Sequence, residues 1–270
     1  MAKHVVMFSS GAGSWAAARR VADQHGTEDL HLVFSDVKGD NPSPHAGEDQ
    51  DNYRFLRQAA WDIGAPLVWL NEGRDVWKVF EDNRFLGNTR LANCSKFLKQ
   101  QPARAWLEEN CDPADTTVYV GIDWSESHRL PAIERGYAPY KALAPLCDPP
   151  YLDKDDILED LRQRGIKPPR LYEMGFAHAN CGGFCVRSGQ AQFKRLLEKM
   201  PERYAYHEQK EQNLRTFLGK DIAILRNRKG GTTKPLTLRE FREQLQADQI
   251  NVDPYDIGGC GCFVEEENAA

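Results

Sequence analysis

Apolar runs of strand length alternate with helical patterns over residues 1–150. Four strands and a candidate fifth are predicted, at residues 4–8, 30–34, 66–70, 117–121 and 141–146. Helices are predicted between them at residues 15–25, 50–63 and 95–110, the last with Pro102 as a candidate kink. Because such alternation forms βαβ units, we expect an α/β fold with a doubly wound, mainly parallel sheet and helices on both faces. Ligands of such sheets bind at the carboxyl ends of the strands.

The pattern changes after about residue 150. Four further helices are predicted, at residues 153–164, 189–200, 203–218 and 238–246. Pro168 and Pro169 mark a break, and residues 222–225 form a candidate short strand. We therefore expect a nucleotide-binding core at residues 1–150 and a mostly helical, cysteine-rich part at residues 151–270 that packs on it and completes a metal site.

Charge is unevenly distributed along the chain, whose net charge is −5. Residues 187–229 hold eleven Lys or Arg and five Asp or Glu, a local balance of +6. Such a segment is typical of an anion or nucleic-acid contact, and equally of a solvated helical face. No apolar run approaches the ~20 residues of a membrane span, and no signal-peptide pattern precedes the first strand. We expect a cytoplasmic protein with no membrane partner; the sequence leaves its oligomeric state open.

The cysteines fall into two close pairs and three single positions. Cys181 and Cys185 are close together in sequence, and so are Cys260 and Cys262. Each pair lies beside glycines that let the backbone fold tightly around one point. An odd total of seven cysteines in a chain expected to be cytoplasmic favours metal or redox chemistry over a disulfide framework. Two such pairs predict a four-thiolate site for zinc or an iron–sulfur cluster.

A glycine–serine loop joins the first predicted strand to the first predicted helix. It consists of Ser9, Ser10, Gly11, Ala12, Gly13 and Ser14. Its backbone N–H groups and the helix dipole form a candidate phosphate or pyrophosphate site, the alternative being an ordinary tight turn. Neither GxxxxGK[ST] nor GxGxxG is present. Asp36, after the second strand, is a candidate ligand for a ribose hydroxyl, magnesium or the adenine side of a nucleotide, or simply a turn acid.

Basic residues surround Cys94 in the sequence, namely Arg90, Lys96, Lys99 and Arg104. Lys96 and Lys99 are three residues apart, so we expect them to share a helical face and grip an anion. Cationic neighbours would favour the Cys94 thiolate; the alternative is a buried cysteine beside surface lysines.

Glu126 and Arg129 follow the fourth strand at the i, i+3 spacing of a helical ion pair. Arg129 is a candidate phosphate ligand that Glu126 orients.

Taken in order, these motifs resemble the adenine-nucleotide α-hydrolase superfamily, especially its sulfonucleotide (PAPS/APS) reductase-like branch and PP-loop relatives. The matching features, over roughly residues 4–190, are the loop at 9–14, Asp36, Cys94-Ser95, Leu98-Lys99, Pro102, Glu126-Ser127-His128-Arg129, Pro145-Leu146 and the pair Cys181/Cys185. ATP-hydrolysing members usually show SGGxDS. Here Ser10 replaces the first glycine and Gly13 the aspartate, so the resemblance still implies nucleotide binding by backbone amides but leaves open whether the loop hydrolyses ATP.

In the iron–sulfur reductases of this family, a cysteine followed by a lysine combines with a later close pair to bind a 4Fe-4S cluster. The resemblance therefore implies that Cys94, Cys181 and Cys185 are metal ligands. Asn93 stands where those reductases carry a second cysteine, and the later pair is spaced Cys-x-x-x-Cys rather than Cys-x-x-Cys. The fourth ligand would then be Cys260 or Cys262. Those reductases also end in a tail whose cysteine attacks the sulfonucleotide, so either tail cysteine is alternatively a nucleophile.

The resemblance implies an enzyme that binds ATP or another adenine nucleotide and carries out sulfur chemistry on a nucleic acid or nucleotide. The loop would hold the phosphates, Asp36 the nucleoside or magnesium, and Lys96, Lys99 and Arg129 the departing phosphates. Catalysis would fall to four residues, Cys94, Lys99, Glu126 and Arg129. The basic segment at 187–229 would contact a polynucleotide. Two alternatives stay open: a sulfonucleotide reductase, and a non-catalytic, zinc-stapled nucleotide-binding adaptor.

Overall fold

Five parallel strands form the central sheet of the computed structural model, which describes residues 3–88, 92–229 and 232–258. The strands are β1 Lys3–Met7, β2 Leu30–Asp36, β3 Leu67–Asn71, β4 Thr116–Val120 and β5 Lys141–Leu143. They lie in the order β3-β2-β1-β4-β5, and every neighbouring pair is parallel. The sequence prediction of a parallel α/β sheet is confirmed. The predicted fifth strand is shorter than expected, with Leu146 making only an isolated bridge to Asp123.

Helices cover both faces of this sheet because β1 is apolar on both faces. Val6 joins a buried cluster with α1 Ala12–His25, α2 Gln50–Ile63 and α7 Lys154–Gln163. Val5 and Met7 face the opposite cluster, which contains side chains of α5 Gln101–Asn110 and α6 Leu130–Tyr137. A strand buried on both sides is typical of a doubly wound sheet. The chain runs outward in opposite directions from β1 and β4, so the topological switch point lies between these two strands.

The predicted helix at 95–110 is divided into three pieces. They are α4 Asn93–Ser95, a π-helical turn Lys96–Gln100, and α5 Gln101–Asn110. Pro102, the candidate kink, lies in the first turn of α5, directly after the π-helical turn, and its missing N–H group leaves one helical hydrogen bond unmade. The irregularity is the π-helical turn itself, a feature often found at functional sites.

The remaining helices build a second core after the sheet. They are α3 Val76–Asp82, α8 Arg170–Glu173, α9 Gln190–Lys199, α10 Pro201–Leu218 and α11 Leu238–Gln246. Large aromatic side chains of α3, α9, α10 and α11 fill this core, among them Trp77, Phe193, Tyr204 and Phe241. The sequence reading missed α3, α6 and α8, which are short.

A two-stranded antiparallel sheet, β6 Leu225–Lys229 and β7 Thr232–Leu236, lies beside the second core. The strand predicted at 222–225 is therefore displaced toward the C-terminus. No helix in the described part of the chain is long and apolar enough to cross a membrane.

Candidate functional site

A cavity of about 150 Å³ opens at the carboxyl ends of β1 and β4, at the switch point of the sheet. Its walls include Ser9, Gly11, Gly13 and Ser14 of the predicted phosphate loop. Val120 and Gly121 close it from the end of β4, and residues 178–180 close it from the C-terminal part. The predicted loop therefore lies where a doubly wound sheet binds its ligand. We call this space the loop cavity.

Serine side chains hold the loop in shape. Ser14 Oγ, which has one proton to donate, lies 2.8 and 2.9 Å from the carbonyl oxygens of Ser9 and Gly11, and it accepts the Ser9 N–H at 3.1 Å. The Gly11 N–H is bonded to Ser9 Oγ and the Ala12 N–H to the Tyr172 hydroxyl. Gly13 and Ser14 are the next residues of α1, and N–H groups in a first helical turn have no intrahelical partner. These two N–H groups and the helix dipole suit an anion.

The loop lies against the backbone that follows β4. A Cβ atom on Gly121 would lie 2.7 Å from Ser14 Cα and 2.9 Å from the Gly13 carbonyl carbon. A Cβ atom on Gly13 would lie 3.0 Å from the Gly121 oxygen. Glycine at position 13, where the SGGxDS pattern has aspartate, thus makes a close backbone contact that leaves little room for a side chain.

Charged side chains of both signs line the loop cavity. Arg129 and Glu126 form the ion pair predicted from their spacing, on a 3₁₀ turn that Asp123 caps through the Ser125 N–H. Lys154, from the first turn of α7, lines the same cavity. The Arg129 side chain is only 14% exposed, whereas that of Glu126 is 34% exposed. Arg129 is thus a cation held at the wall of the cavity, oriented by its acidic partner.

Asp36 lies outside the lining of the loop cavity. It is buried at the end of β2, where it accepts hydrogen bonds from the Tyr53 hydroxyl at 2.8 Å and from the Lys38 N–H at 3.0 Å. Burial, and then the charge of Asp36, raises the pKa of Tyr53, so this phenol remains a hydrogen-bond donor to the carboxylate. The structure therefore places Asp36 in a buried turn.

Cys94, Cys181 and Cys185 line a second, smaller cavity of about 30 Å³. Val37 and Val76 provide apolar wall, and Lys99 lies with its Nζ 3.8 Å from Cys181 Sγ. Cys94 and Cys181, which are 87 residues apart in sequence, are brought to one place because both pack against the cluster of Val37, Val79 and Leu98. We call this space the thiol cavity. Cys260, Cys262 and Arg90 lie outside the described residues.

The expectation that Lys96 and Lys99 share one helical face is wrong. Their segment is π-helical, so a spacing of three residues no longer aligns two side chains. Lys99 is 5% exposed at the thiol cavity, while Lys96 is exposed beside a separate groove lined by Gln100 and Arg104. Neither lysine lines the loop cavity.

The turn Asn180–Gly183 separates the two cavities. Ala179 and Asn180 line the loop cavity, while Cys181 lines the thiol cavity. Cys181 and Gly182 both adopt left-handed backbone conformations, with φ of 54° and 58°. This backbone geometry reverses the chain sharply, so that successive residues face different cavities.

Sequence reasoning missed Glu48, Asn52 and Tyr172. Glu48 is 2% exposed and accepts hydrogen bonds from Ser10 Oγ and the Gly182 N–H. Tyr172, in α8, closes the loop cavity through its bond to the Ala12 N–H. No local pattern marks these residues, because each acts on a partner distant in sequence.

Thiol ligands are the kind that zinc and iron–sulfur clusters prefer, so the donor set of the thiol cavity is chemically suited to either. Within residues 3–88, 92–229 and 232–258, however, no three His, Cys, Asp or Glu side chains converge closely enough to hold a metal ion. The thiol cavity therefore matches a zinc or iron–sulfur site in the chemical type of its ligands and in bringing three cysteines to one cavity.

No family model and no curated protein matches the sequence. Several solved structures are similar to it. PAPS reductase from Candida auris, in its phosphate complex, is 15% identical with a TM-score of 0.43, covering 66% of this chain and 80% of that one. NH3-dependent NAD synthetase from Campylobacter jejuni subsp. jejuni is 14% identical with a TM-score of 0.40, covering 81% and 84%. A predicted subunit of tRNA methyltransferase from Methanocaldococcus jannaschii is 14% identical with a TM-score of 0.33, covering 62% and 91%.

Proposed function

We propose that this protein is an adenine-nucleotide-binding enzyme of the PAPS reductase/PP-loop type, which uses the nucleotide for sulfur chemistry on a nucleic acid or nucleotide. One observation carries the proposal: a single turn, Asn180–Gly183, forms part of the wall of both the loop cavity and the thiol cavity. An anion-binding loop and a group of thiols are therefore neighbours.

The phosphates would bind to the N–H groups of Gly13 and Ser14, at the positive end of α1. Arg129 would neutralise charge on them, with Glu126 fixing the direction of the guanidinium group. Lys154 supplies a second cation on the same wall. Asp36 is the candidate ligand for the nucleoside or for magnesium, because it ends the strand next to the one that precedes the loop.

Cys94, Cys181 and Cys185 would hold a 4Fe-4S cluster, with zinc as the alternative. Cys260 or Cys262 would supply the fourth thiolate. Gly258, the last described residue before them, forms an antiparallel bridge with Ser188, only three residues beyond Cys185. When bound, a cluster would supply electrons or hold sulfur, whereas zinc would serve as a staple.

Nucleic-acid contact, expected along residues 187–229, is better supported for only part of that segment. Arg203 is buried among backbone carbonyl oxygens, and Arg215 forms an ion pair with Asp221. The antiparallel pair of strands β6 and β7 contains four basic residues and no acidic one: Arg226, Arg228, Lys229 and Lys234. We call it the basic ribbon.

The basic ribbon borders a cavity of about 440 Å³. Arg226 and Asn227 line this cavity, and Val186 and Arg187 are common to it and the thiol cavity. A polynucleotide bound along the ribbon would thus lie next to the thiols. An antiparallel two-stranded ribbon is also a shape that fits the major groove of DNA.

Titration calorimetry of ATP and GTP into anaerobically purified protein tests nucleotide binding. Arg129→Gln should weaken ATP binding at least tenfold, about 1.4 kcal/mol. Arg162→Gln is the matched control, because Arg162 also pairs with a glutamate three residues away but is exposed on α7. An ATP affinity unchanged by Arg129→Gln, or equally weakened by both substitutions, would refute the assignment of the loop cavity.

Metal content and the visible spectrum of the same protein distinguish the functions. Iron with absorbance near ~400 nm, lost in Cys94→Ala, supports the cluster. Colourless stoichiometric zinc that Cys94→Ala leaves in place would refute it and favour the adaptor. Covalent trapping of a sulfonate on Cys260 or Cys262 by APS or PAPS would favour the sulfonucleotide reductase.

A further inference from the structure

A buried carboxylate joins the loop at residues 9–14 to the turn that carries Cys181. Glu48 Oε2 accepts hydrogen bonds from Ser10 Oγ at 3.2 Å and from the Gly182 N–H at 3.1 Å. Ser10 is fully buried and Glu48 nearly so. A single oxygen atom thus receives one donor from the loop at residues 9–14 and one from the turn Asn180–Gly183.

Asn52 braces this junction. Its Nδ2 lies 3.2 Å from the same Glu48 oxygen, 3.0 Å from Ser10 Oγ and 2.5 Å from the Ala179 carbonyl oxygen. Asn52 belongs to α2 and is itself buried. Asn52 of α2 therefore bonds both to Ser10 in the loop and to Ala179 next to the turn, so a movement of the loop is resisted by the turn.

The turn depends on these contacts for its shape. The left-handed backbone at Cys181, a residue with a side chain, is strained and needs support from its surroundings. Any Cβ atom on Gly182 would collide with the Arg203 guanidinium, which donates to the carbonyl oxygens of Pro44, Gly47 and Glu48. The segment that carries Glu48 thus supports the Cys181 turn, directly through Glu48 and indirectly through Arg203.

We propose that Glu48 is a positioning residue that couples the loop cavity to the thiol cavity, so that occupancy of the loop changes the accessibility of Cys181. An anion at the loop brings negative charge close to the buried carboxylate, where charges are poorly screened. The Ser10 and Gly182 bonds share one acceptor atom, so a displacement of Glu48 alters both. The nucleotide part of this proposal rests on the proposed function, whereas the link between loop and turn does not.

The test is the rate at which iodoacetamide alkylates Cys181 in the protein as purified, followed by peptide mass spectrometry with and without ATP. In the wild type, ATP should change this rate at least threefold. Glu48→Ala should raise the rate without ATP at least threefold and abolish the effect of ATP, because the Gly182 N–H loses its acceptor. Glu48→Gln should keep the rate near that of the wild type, since an amide oxygen still accepts that N–H group.

Glu211→Ala is the matched control. Glu211 is another buried carboxylate, which accepts backbone N–H groups of Ile224 and Leu238 at 2.7 Å in the second core. It should leave the ATP effect on Cys181 intact. Wild-type behaviour of Glu48→Ala, or an equal change in Glu211→Ala, would overturn the proposal.

Ser10→Ala decides the link without any nucleotide. Removing the loop's donor to Glu48 should raise the rate of Cys181 alkylation at least twofold, although Ser10 does not contact Cys181 through any described hydrogen bond. An unchanged rate would overturn the coupling. Failure of ATP to bind the wild type would refute the proposed function, and the Ser10→Ala rate would still decide whether loop and turn are linked.

Discussion

Gly121→Ala tests whether the end of β4 shapes the anion-binding loop. The new methyl carbon would lie 2.7–2.9 Å from three backbone atoms of Gly13 and Ser14. Carbon atoms are at optimal separation from about 3.5 Å, so the loop must move by roughly 0.8 Å. The obstructing atoms belong to the first turn of α1 rather than to a flexible side chain.

The size of the effect follows from this geometry. Overpacking a close contact typically costs 1–3 kcal/mol of unfolding free energy, and we expect about 3 kcal/mol because backbone has to give way. If the loop moves instead, the strain is relieved, and the N–H groups of Gly13 and Ser14 no longer point at the bound phosphate. A misplacement of about 1 Å is enough to lose most of a directed interaction, so ATP affinity should fall at least tenfold.

Urea unfolding and ATP calorimetry are measured on the same preparations, with Gly64→Ala as control. Gly64 ends α2 with a φ of +79° and has no atom within 4 Å of the position of a Cβ. Alanine there should cost roughly 1–2 kcal/mol through its left-handed backbone and leave ATP affinity unchanged. Gly121→Ala with wild-type affinity for ATP would refute the reasoning.

Further predictions concern charge, metal and nucleic acid. Burial raises the pKa of Glu211 from 4.5 to about 7. Because the pKa is higher in the folded protein, the stability that the protonated Glu211 contributes should be lost as pH rises through about 7. Glu211→Gln should remove up to about 3 kcal/mol of this pH dependence in urea unfolding between pH 4.5 and 8. His207 accepts the Trp77 indole N–H, and burial lowers the pKa of His207 well below the ordinary value. The free energy of unfolding should therefore fall as pH drops below about 6.5. His207→Gln should weaken this dependence of the unfolding free energy on pH, and an unchanged dependence would contradict the assignment. Cys94→Ser should reduce bound iron or zinc per chain to less than half by metal analysis, whereas Cys111→Ser, outside the thiol cavity, should not. Neutralising Arg226 and Lys234 together should lower the salt slope of DNA binding, measured by fluorescence anisotropy, by about 2, and an unchanged slope would remove the basic ribbon from the interface.

The sheet was predictable because its information is local. Apolar runs flanked by turn residues place β1 to β4 within a few residues of their observed positions, and α2 and α11 match their predicted bounds. Ligands of parallel α/β sheets bind at the carboxyl ends of the strands, and this rule predicts a site at the loop of residues 9–14. The Glu126–Arg129 pair was implied by its i, i+3 spacing.

The rest of the site depends on contacts that no local pattern carries. Glu48 reads in sequence as one of several acids before a helix, yet its carboxylate is buried by partners 38 and 134 residues away. The π-helical turn at Lys96–Gln100 inverts the expected relation of Lys96 and Lys99, although their spacing alone predicts a shared face. Tertiary packing decides both features, so sequence periodicity could reveal neither.

The most direct test of the account is a crystal structure of the protein with ATP. We predict that the phosphates contact the N–H groups of Gly13 and Ser14 and the Arg129 guanidinium, in the cavity between β1 and β4. A nucleotide bound elsewhere, for example in the cavity beside the basic ribbon, would contradict the central claim that the loop at residues 9–14 is the nucleotide site.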